Sequence, residues 1–194
     1  MLYYQHNKNK NMSRIEQIHV NQAASGYQLS AGHHHFECVI GQAGLITADK
    51  KIEGDGATPI GNWALRGLFY RPDKINHKAL LKTNLLPCRP ITKEMGWVDD
   101  PLSLHYNQPI ILPCNDRHEK LWRNDRLYDL LLPLGYNDGP ITPHKGSAIF
   151  LHCAEVDTPA TKGCIALKKA DLLMLLPMCT TNTMITVHSQ NVRE

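Results

Sequence analysis

Apolar positions along this chain alternate with polar ones far more often than they recur at helical spacing. Residues 15–20 and 27–31 both alternate, and the stretch 22–26 between them ends in glycine, which predicts a β-hairpin. Residues 34–40 alternate again, and 62–70 reads as a further strand entered through the turn-rich stretch 53–61. Short apolar runs follow at 109–112 and 127–134, and 147–154 (SAIFLHCA) has the β-branched and aromatic content of a buried strand. Helical periodicity is persuasive at 168–176 (KKADLLMLL), where positions 170, 172, 173 and 176 fall on one face and Pro177 is expected to end the helix. Residues 183–187 read as a last strand, and a short helix around 78–86 interrupts an otherwise loop-like 73–93. The predicted class is mainly β, a β-sandwich or mixed sheet with a few short helices.

A length of 194 residues suits one domain with its own core, expected over 15–190, preceded by a polar tail at 1–14 expected to be disordered. A net charge of +3, with no basic stripe interleaved with aromatics, argues against a nucleic-acid partner. The opening MLYYQHNKNKNMSR has no apolar stretch of the kind an export signal needs, and Met12 offers an alternative start. No run of about 18 apolar residues occurs, so no membrane span is expected and the compartment expected is the cytosol. The six cysteines form no CxxC pair, which removes the main signature of zinc ribbons and thioredoxins. In the cytosol they are expected as free thiols, most of them packed as small apolar residues.

Chemistry concentrates in residues 150–167, FLHCAEVDTPATKGCIAL. A strand delivers His152, a turn-rich loop with Asp157 and Pro159 follows, and the chain then tightens through Thr161, Lys162, Gly163 and Cys164. A nucleophilic cysteine needs a base to take its proton and donors to hold the developing oxyanion. Gly163 permits close backbone approach, so its amide and that of Cys164 are candidate oxyanion donors. Lys162 adds positive charge that favours a thiolate. The competing reading is a packing cysteine beside a core histidine, the commoner situation for residues of these types.

A histidine on a strand, a loop, and then [Ser/Thr]-x-Gly-Cys-apolar resembles the active-site signature of the L,D-transpeptidase (YkuD) family. The segment GDGATPIGNW at 54–63 is similar to that family's G-x-x-T-P-x-G-x-aromatic turn, and the closing helix and strand 184–187 also fit. The resemblance covers roughly residues 34–188, most of the chain. It implies a cysteine acyl-transfer enzyme with Cys164 as nucleophile, His152 as base and acid, Gly163 supplying an oxyanion amide, and no metal or organic cofactor. This chain departs from the pattern in several places. Lys162 stands where relatives usually carry His, Ala166 where they carry Arg or Asn, and Cys153 where Gly or Ser is common; Cys164 follows His152 by only twelve residues. With the missing export signal, these departures resemble a cytosolic branch of L,D-carboxypeptidases that trim recycled cell-wall peptides. GWVDDP at 96–101, YNQP at 106–109, HEKLWR at 118–123 and LGYND at 134–138 add to that likeness. The implied substrate is a murein tetrapeptide ending in diaminopimelate–D-Ala. The alternatives are a periplasmic transpeptidase that forms cross-links, and an inactive murein-peptide binding module.

Other residues have candidate roles. Lys162, Thr161, Arg126, Arg123 and Trp97 are expected to bind substrate, the arginines because a guanidinium matches a carboxylate bidentately. Arg117 is a further carboxylate-binding candidate, and Trp122 a candidate cleft wall. His33, His34 and His35 with Cys38 form no metal site in this reading, because adjacent strand residues point to opposite faces. The same alternation sends Cys153 to the face opposite His152, into the core. Asp99 and Asp100, just before Pro101, read as a turn.

Overall fold

The computed structural model describes residues 14–155 and 159–189. The tail expected at 1–14 lies outside them except for Arg14, as does Asp157. The chain opens with β1 (Gln17–Ala23), β2 (Gly26–Ala31), β3 (His34–Val39), β4 (Leu45–Thr47), β5 (Thr58–Ala64) and β6 (Leu68–Tyr70). After α1 (His77–Thr83) come β7 (Cys88–Pro90), β8 (Met95–Val98), β9 (Pro109–Ile111), β10 (His118–Lys120), β11 (Leu130–Pro133) and β12 (Phe150–Ala154). It closes with β13 (Ile165–Lys168), α2 (Lys169–Leu175), a 3-10 turn over Leu176–Met178, and β14 (Met184–Val187).

Eleven strands make one mixed sheet in the order β4-β5-β14-β1-β2-β3-β13-β12-β11-β6-β7, and a second sheet has the order β10-β8-β9. The fold is thus the mainly β, mixed-sheet class that the alternation predicts. The hairpin of β1 and β2 turns over Ala24 and Ser25, later than expected, because Asn21 and Gln22 keep pairing with Gln28 and Tyr27. The strand expected over 62–70 is two: β5 begins at Thr58, and the chain breaks before β6 at Gly67, whose φ of +148° lies where side chains are disfavoured. The C-terminal helix α2 ends at Leu175, just before Pro177, as expected, and a single 3-10 turn over Leu176–Met178 follows it. Pro177 sits at the start of that turn, a position where its missing N–H costs little.

Two apolar clusters fill the two faces of the central strands. One is lined by Ile18, Leu29, Leu132, Leu151, Cys153, Ile165 and Leu167, and α2 packs into it through Leu172 and Leu175. A bridge between Leu65 and Leu134 ties the two ends of the long sheet together over this core. The other cluster holds Phe69, Leu131 and Phe150 against Trp97, Leu121 and Tyr128 from the region of the small sheet, with Cys164 at its margin. Because strand side chains alternate, β12 sends Leu151 and Cys153 into the first cluster and Phe150 and His152 to the opposite face.

Candidate active site

β12 and β13 run parallel, with His152 opposite Ala166 and Leu151 opposite Ile165. Cys164 immediately precedes β13, so it stands beside Phe150, and His152 lies one diagonal step away on the same face. Both residues line one cavity of about 660 Å³ between the main sheet and the small one. That face is the one the alternation of 150–154 assigned to His152, and Cys153 is buried in the core on the other.

The turn before Cys164 is locked from both sides. Thr161 Oγ1 donates to the Cys164 carbonyl at 2.6 Å and accepts the Gly163 N–H at 3.1 Å. The Gly163 amide is therefore engaged inside the turn, and the oxyanion role expected of it does not fit this geometry. Gly163 is required for shape instead: its φ is +126°, and a Cβ there would sit 2.9 Å from the Ala57 carbonyl oxygen. Thr58 clamps the turn from the other side, donating to the Gly163 carbonyl at 2.9 Å while accepting the Gly41 N–H at 2.8 Å. The GDGATPIGNW segment thus acts on the site through a buried threonine.

The Cys164 thiol donates to the Ala148 carbonyl (3.2 Å) and accepts from the Phe150 N–H (3.3 Å). Ala148 has a φ of +52° and is held by Asn107, whose Oδ1 receives both the Ala148 N–H and the Trp97 Nε1–H, each at 3.0 Å. Burial pushes the thiol up to about 12, helped by the charge of Glu119, while the Phe150 amide and Lys51 pull the other way. The resting sulfur is a protonated thiol. His152 is equally enclosed. Burial lowers it to about 4, against hydrogen bonding to the backbone carbonyls of Cys153 and Leu127, which favours the charged ring, so at neutral pH the ring is uncharged. Its Nδ1 lies 2.7 Å from the Cys153 carbonyl oxygen, which can only accept. The single ring proton is therefore on Nδ1, and Nε2 is the nitrogen able to take another.

The expected substrate-binding residues divide. Arg123, Lys162 and Thr161 line the cavity, and Arg117 joins them, paired with Asp99 at 3.0 Å. Arg126 is exposed and does not line it. Trp97 is buried behind Phe150, edge to face at 5.0 Å, and so serves the core. Trp122 also lies off the cavity, under the Arg71 guanidinium at 3.8 Å. The cation that acts on the sulfur is Lys51 and not Lys162, whose charge acts on Glu119. Lys51 is buried and paired with Asp55 at 2.5 Å. A lysine in a turn reads as surface, so nothing in the sequence marked it. Tyr128 and Glu119 were likewise not singled out. Tyr128 stands edge to face with His152 at 5.3 Å and donates its hydroxyl to Glu119 at 2.6 Å. Among the described residues no group of three or more side chains could hold a metal. His35 turns to Ser30, and the His34 ring lies parallel to Phe36.

Fold and cavity together define a β-rich domain that brings a thiol and a neutral imidazole to one face. The match of the L,D-transpeptidase catalytic domain over residues 16–187 assigns the family: this chain belongs to the YkuD family of cysteine-dependent L,D-transpeptidases. Among solved structures it is similar to Bd1075 of Bdellovibrio bacteriovorus, at 16% identity and a TM-score of 0.46 over 94% of this chain and 50% of that one. It is similar to an L,D-transpeptidase from Mycobacterium smegmatis (11% identity, TM-score 0.40, 89% of this chain and 58% of that one). It is also similar to L,D-transpeptidase 1 of Mycobacterium tuberculosis (12% identity, TM-score 0.36, 88% and 61%). The chain thus spans between half and about three fifths of those chains. No curated protein matches it significantly.

Proposed function

We propose that this domain is an L,D-carboxypeptidase that uses Cys164 to release the terminal D-Ala of a murein tetrapeptide. The observation that carries the reading is the shared cavity of a protonated Cys164 thiol and a neutral His152 with its proton on Nδ1. Nε2 takes the thiol proton as sulfur attacks the carbonyl carbon of the third residue. The carbon–nitrogen bond to D-Ala then breaks, and the imidazolium returns the proton to the leaving amine. Water, deprotonated by the same nitrogen, hydrolyses the thioester to tripeptide and free thiol.

One feature favours water as acceptor: Ala166, buried in the sheet, offers only a methyl group where relatives place a polar side chain. A second reading, cross-link formation, draws on a neighbouring groove of about 710 Å³ that Ala166 lines and that shares Gln42 and Ala160 with the Cys164 cavity. An acceptor stem placed there would bring an amine to the thioester. Incubating the protein with purified tetrapeptide muropeptides, with and without excess acceptor, and reading products by mass decides between them. Tripeptide with little dimer supports the carboxypeptidase; dimer formed faster than tripeptide replaces it. A cytosolic location belongs to the same proposal, since soluble recycled fragments are its substrates, and cell fractionation tests it.

A further inference from the structure

The charges around Cys164 are not evenly matched. Three of the four cations of the cavity wall have an aspartate each: Lys51 with Asp55 at 2.5 Å, Arg117 with Asp99 at 3.0 Å, and Arg123 with Asp125 at 2.6 Å; the fourth, Lys162, is exposed and its charge acts on Glu119. The two glutamates of the wall are held mainly by hydroxyls. Glu53 accepts from Tyr106 at 2.5 Å and from Ser147 at 2.7 Å, and Glu119 accepts from Tyr128 at 2.6 Å. A hydroxyl satisfies a lone pair but brings no positive charge. Arg123 reaches Glu119 only at 3.5 Å, because its Nε and Nη2 are bound to Asp125. Both of these contacts fall on Oε1 of Glu119, and the side chain keeps 29% of its exposure within the cavity.

Glu119 is also the charged group that most opposes ionisation of the thiol. A carboxylate beside a nucleophile raises the cost of every step in which sulfur becomes negative. A cation delivered to that carboxylate removes the penalty at the moment of reaction. The peptide proposed above carries one: the side chain of diaminopimelate at its third position ends in an ammonium and a carboxylate group, a few bonds from the carbonyl under attack, and the ammonium is the group a glutamate can hold. We propose that Glu119, held in place by the Tyr128 hydroxyl, is the specificity-determining residue that binds a substrate ammonium group beside Cys164, and that this contact primes the thiol. The inference rests on the carboxypeptidase reading for its substrate and on the cavity alone for its geometry.

The test compares tetrapeptide carrying a free side-chain amine at position three with the same peptide acetylated on that amine, using wild type and Glu119→Gln. The amide keeps an oxygen for the Tyr128 hydroxyl and loses only the charge. Acetylation should lower kcat/KM of wild type by about tenfold or more and that of Glu119→Gln by no more than about twofold. Tyr128→Phe, which removes only the hydroxyl, should fall between them and serves if Glu119→Gln misfolds. A second measurement needs no turnover: alkylation of Cys164 by iodoacetamide, followed by mass spectrometry, should be roughly threefold or more faster in Glu119→Gln than in wild type. Equal sensitivity to acetylation in wild type and variant overturns amine recognition, and equal alkylation rates overturn the priming. If wild type releases D-Ala from neither peptide, the carboxypeptidase reading fails by itself. Binding of the two peptides to Cys164→Ala, measured by calorimetry, then decides the role of Glu119.

Discussion

At the scale of single residues, burial sets the chemistry of this site. Cys164 and His152 are both enclosed, and each is held in its uncharged form, the thiol with its pKa up to about 12 and the imidazole down to about 4. Such a pair stores no thiolate–imidazolium charge at rest, so proton transfer accompanies attack. Cys164→Ala is expected to abolish turnover while leaving the circular dichroism spectrum and Tm nearly unchanged, because an alanine fits the thiol's place; activity retained in that variant would remove the mechanism. The pH profile carries the sign of the imidazole shift. The base must be unprotonated, so the acid limb of kcat/KM is expected near pH 4 and not near the 6.5 of a free imidazole. Stopped assays between pH 3.5 and 8, with stability monitored in parallel, measure it. Lys162 is exposed and acts on Glu119, whereas Lys51 is buried and acts on the sulfur. Lys162→Met is therefore expected to slow turnover by less than about tenfold. Lys51→Met leaves Asp55 without its cation and is expected to cost about 3 kcal/mol of stability, read by chemical denaturation.

At the scale of elements, the site is a junction of β12, the turn before β13, and the strand β5 that carries Thr58. The Thr58 hydroxyl reaches Gly163 across 105 positions of sequence. Thr58→Val keeps the shape and strands the Gly41 N–H, a buried donor, so a loss of about 1–3 kcal/mol is expected. Turnover should fall with it, since the Cys164 turn loses one of its two clamps. Gly163→Ala places a side chain at φ +126° and against the Ala57 carbonyl, so a destabilisation of at least about 1 kcal/mol and a strong loss of activity are expected. Differential scanning fluorimetry with a D-Ala release assay separates the two effects. Much of the element pattern is readable in the sequence: the hairpin of β1 and β2 and the closing helix follow from periodicity, and the strand of His152 from its β-branched and aromatic content. The short strands β4, β7, β8 and β10 are not, because three or four residues are too few to show a period and their pairing depends on distant partners.

At the scale of the whole molecule, stability and function share one pH window. His152 refuses a proton until about pH 4, while the unfolded chain takes it up near 6.5. Between those values the unfolded state binds more protons, so stability conferred by the neutral ring is full above pH 6.5 and declines as pH falls toward 4. The loss from this group is expected to be at most about 3 kcal/mol, and His152→Gln should flatten that part of the stability curve in urea titrations. The strand-rich class and the face of β12 on which His152 lies were legible in the chain alone, because alternation is a property of neighbouring residues; the candidate pair His152 and Cys164 came from the likeness to the L,D-transpeptidase signature. It also pointed, through GDGATPIGNW, to a segment that meets the site, without saying how. The assembled fold alone shows that Thr58 is the clamp, that the Gly163 amide is engaged inside the turn, that Trp97 and Arg126 lie off the cavity, and that Lys51, Tyr128 and Glu119 belong to it. Those facts depend on which groups long-range strand pairing brings within a few ångströms and on how much water it removes. Burial and charge proximity are set by the assembled fold, and no spacing along the chain encodes them.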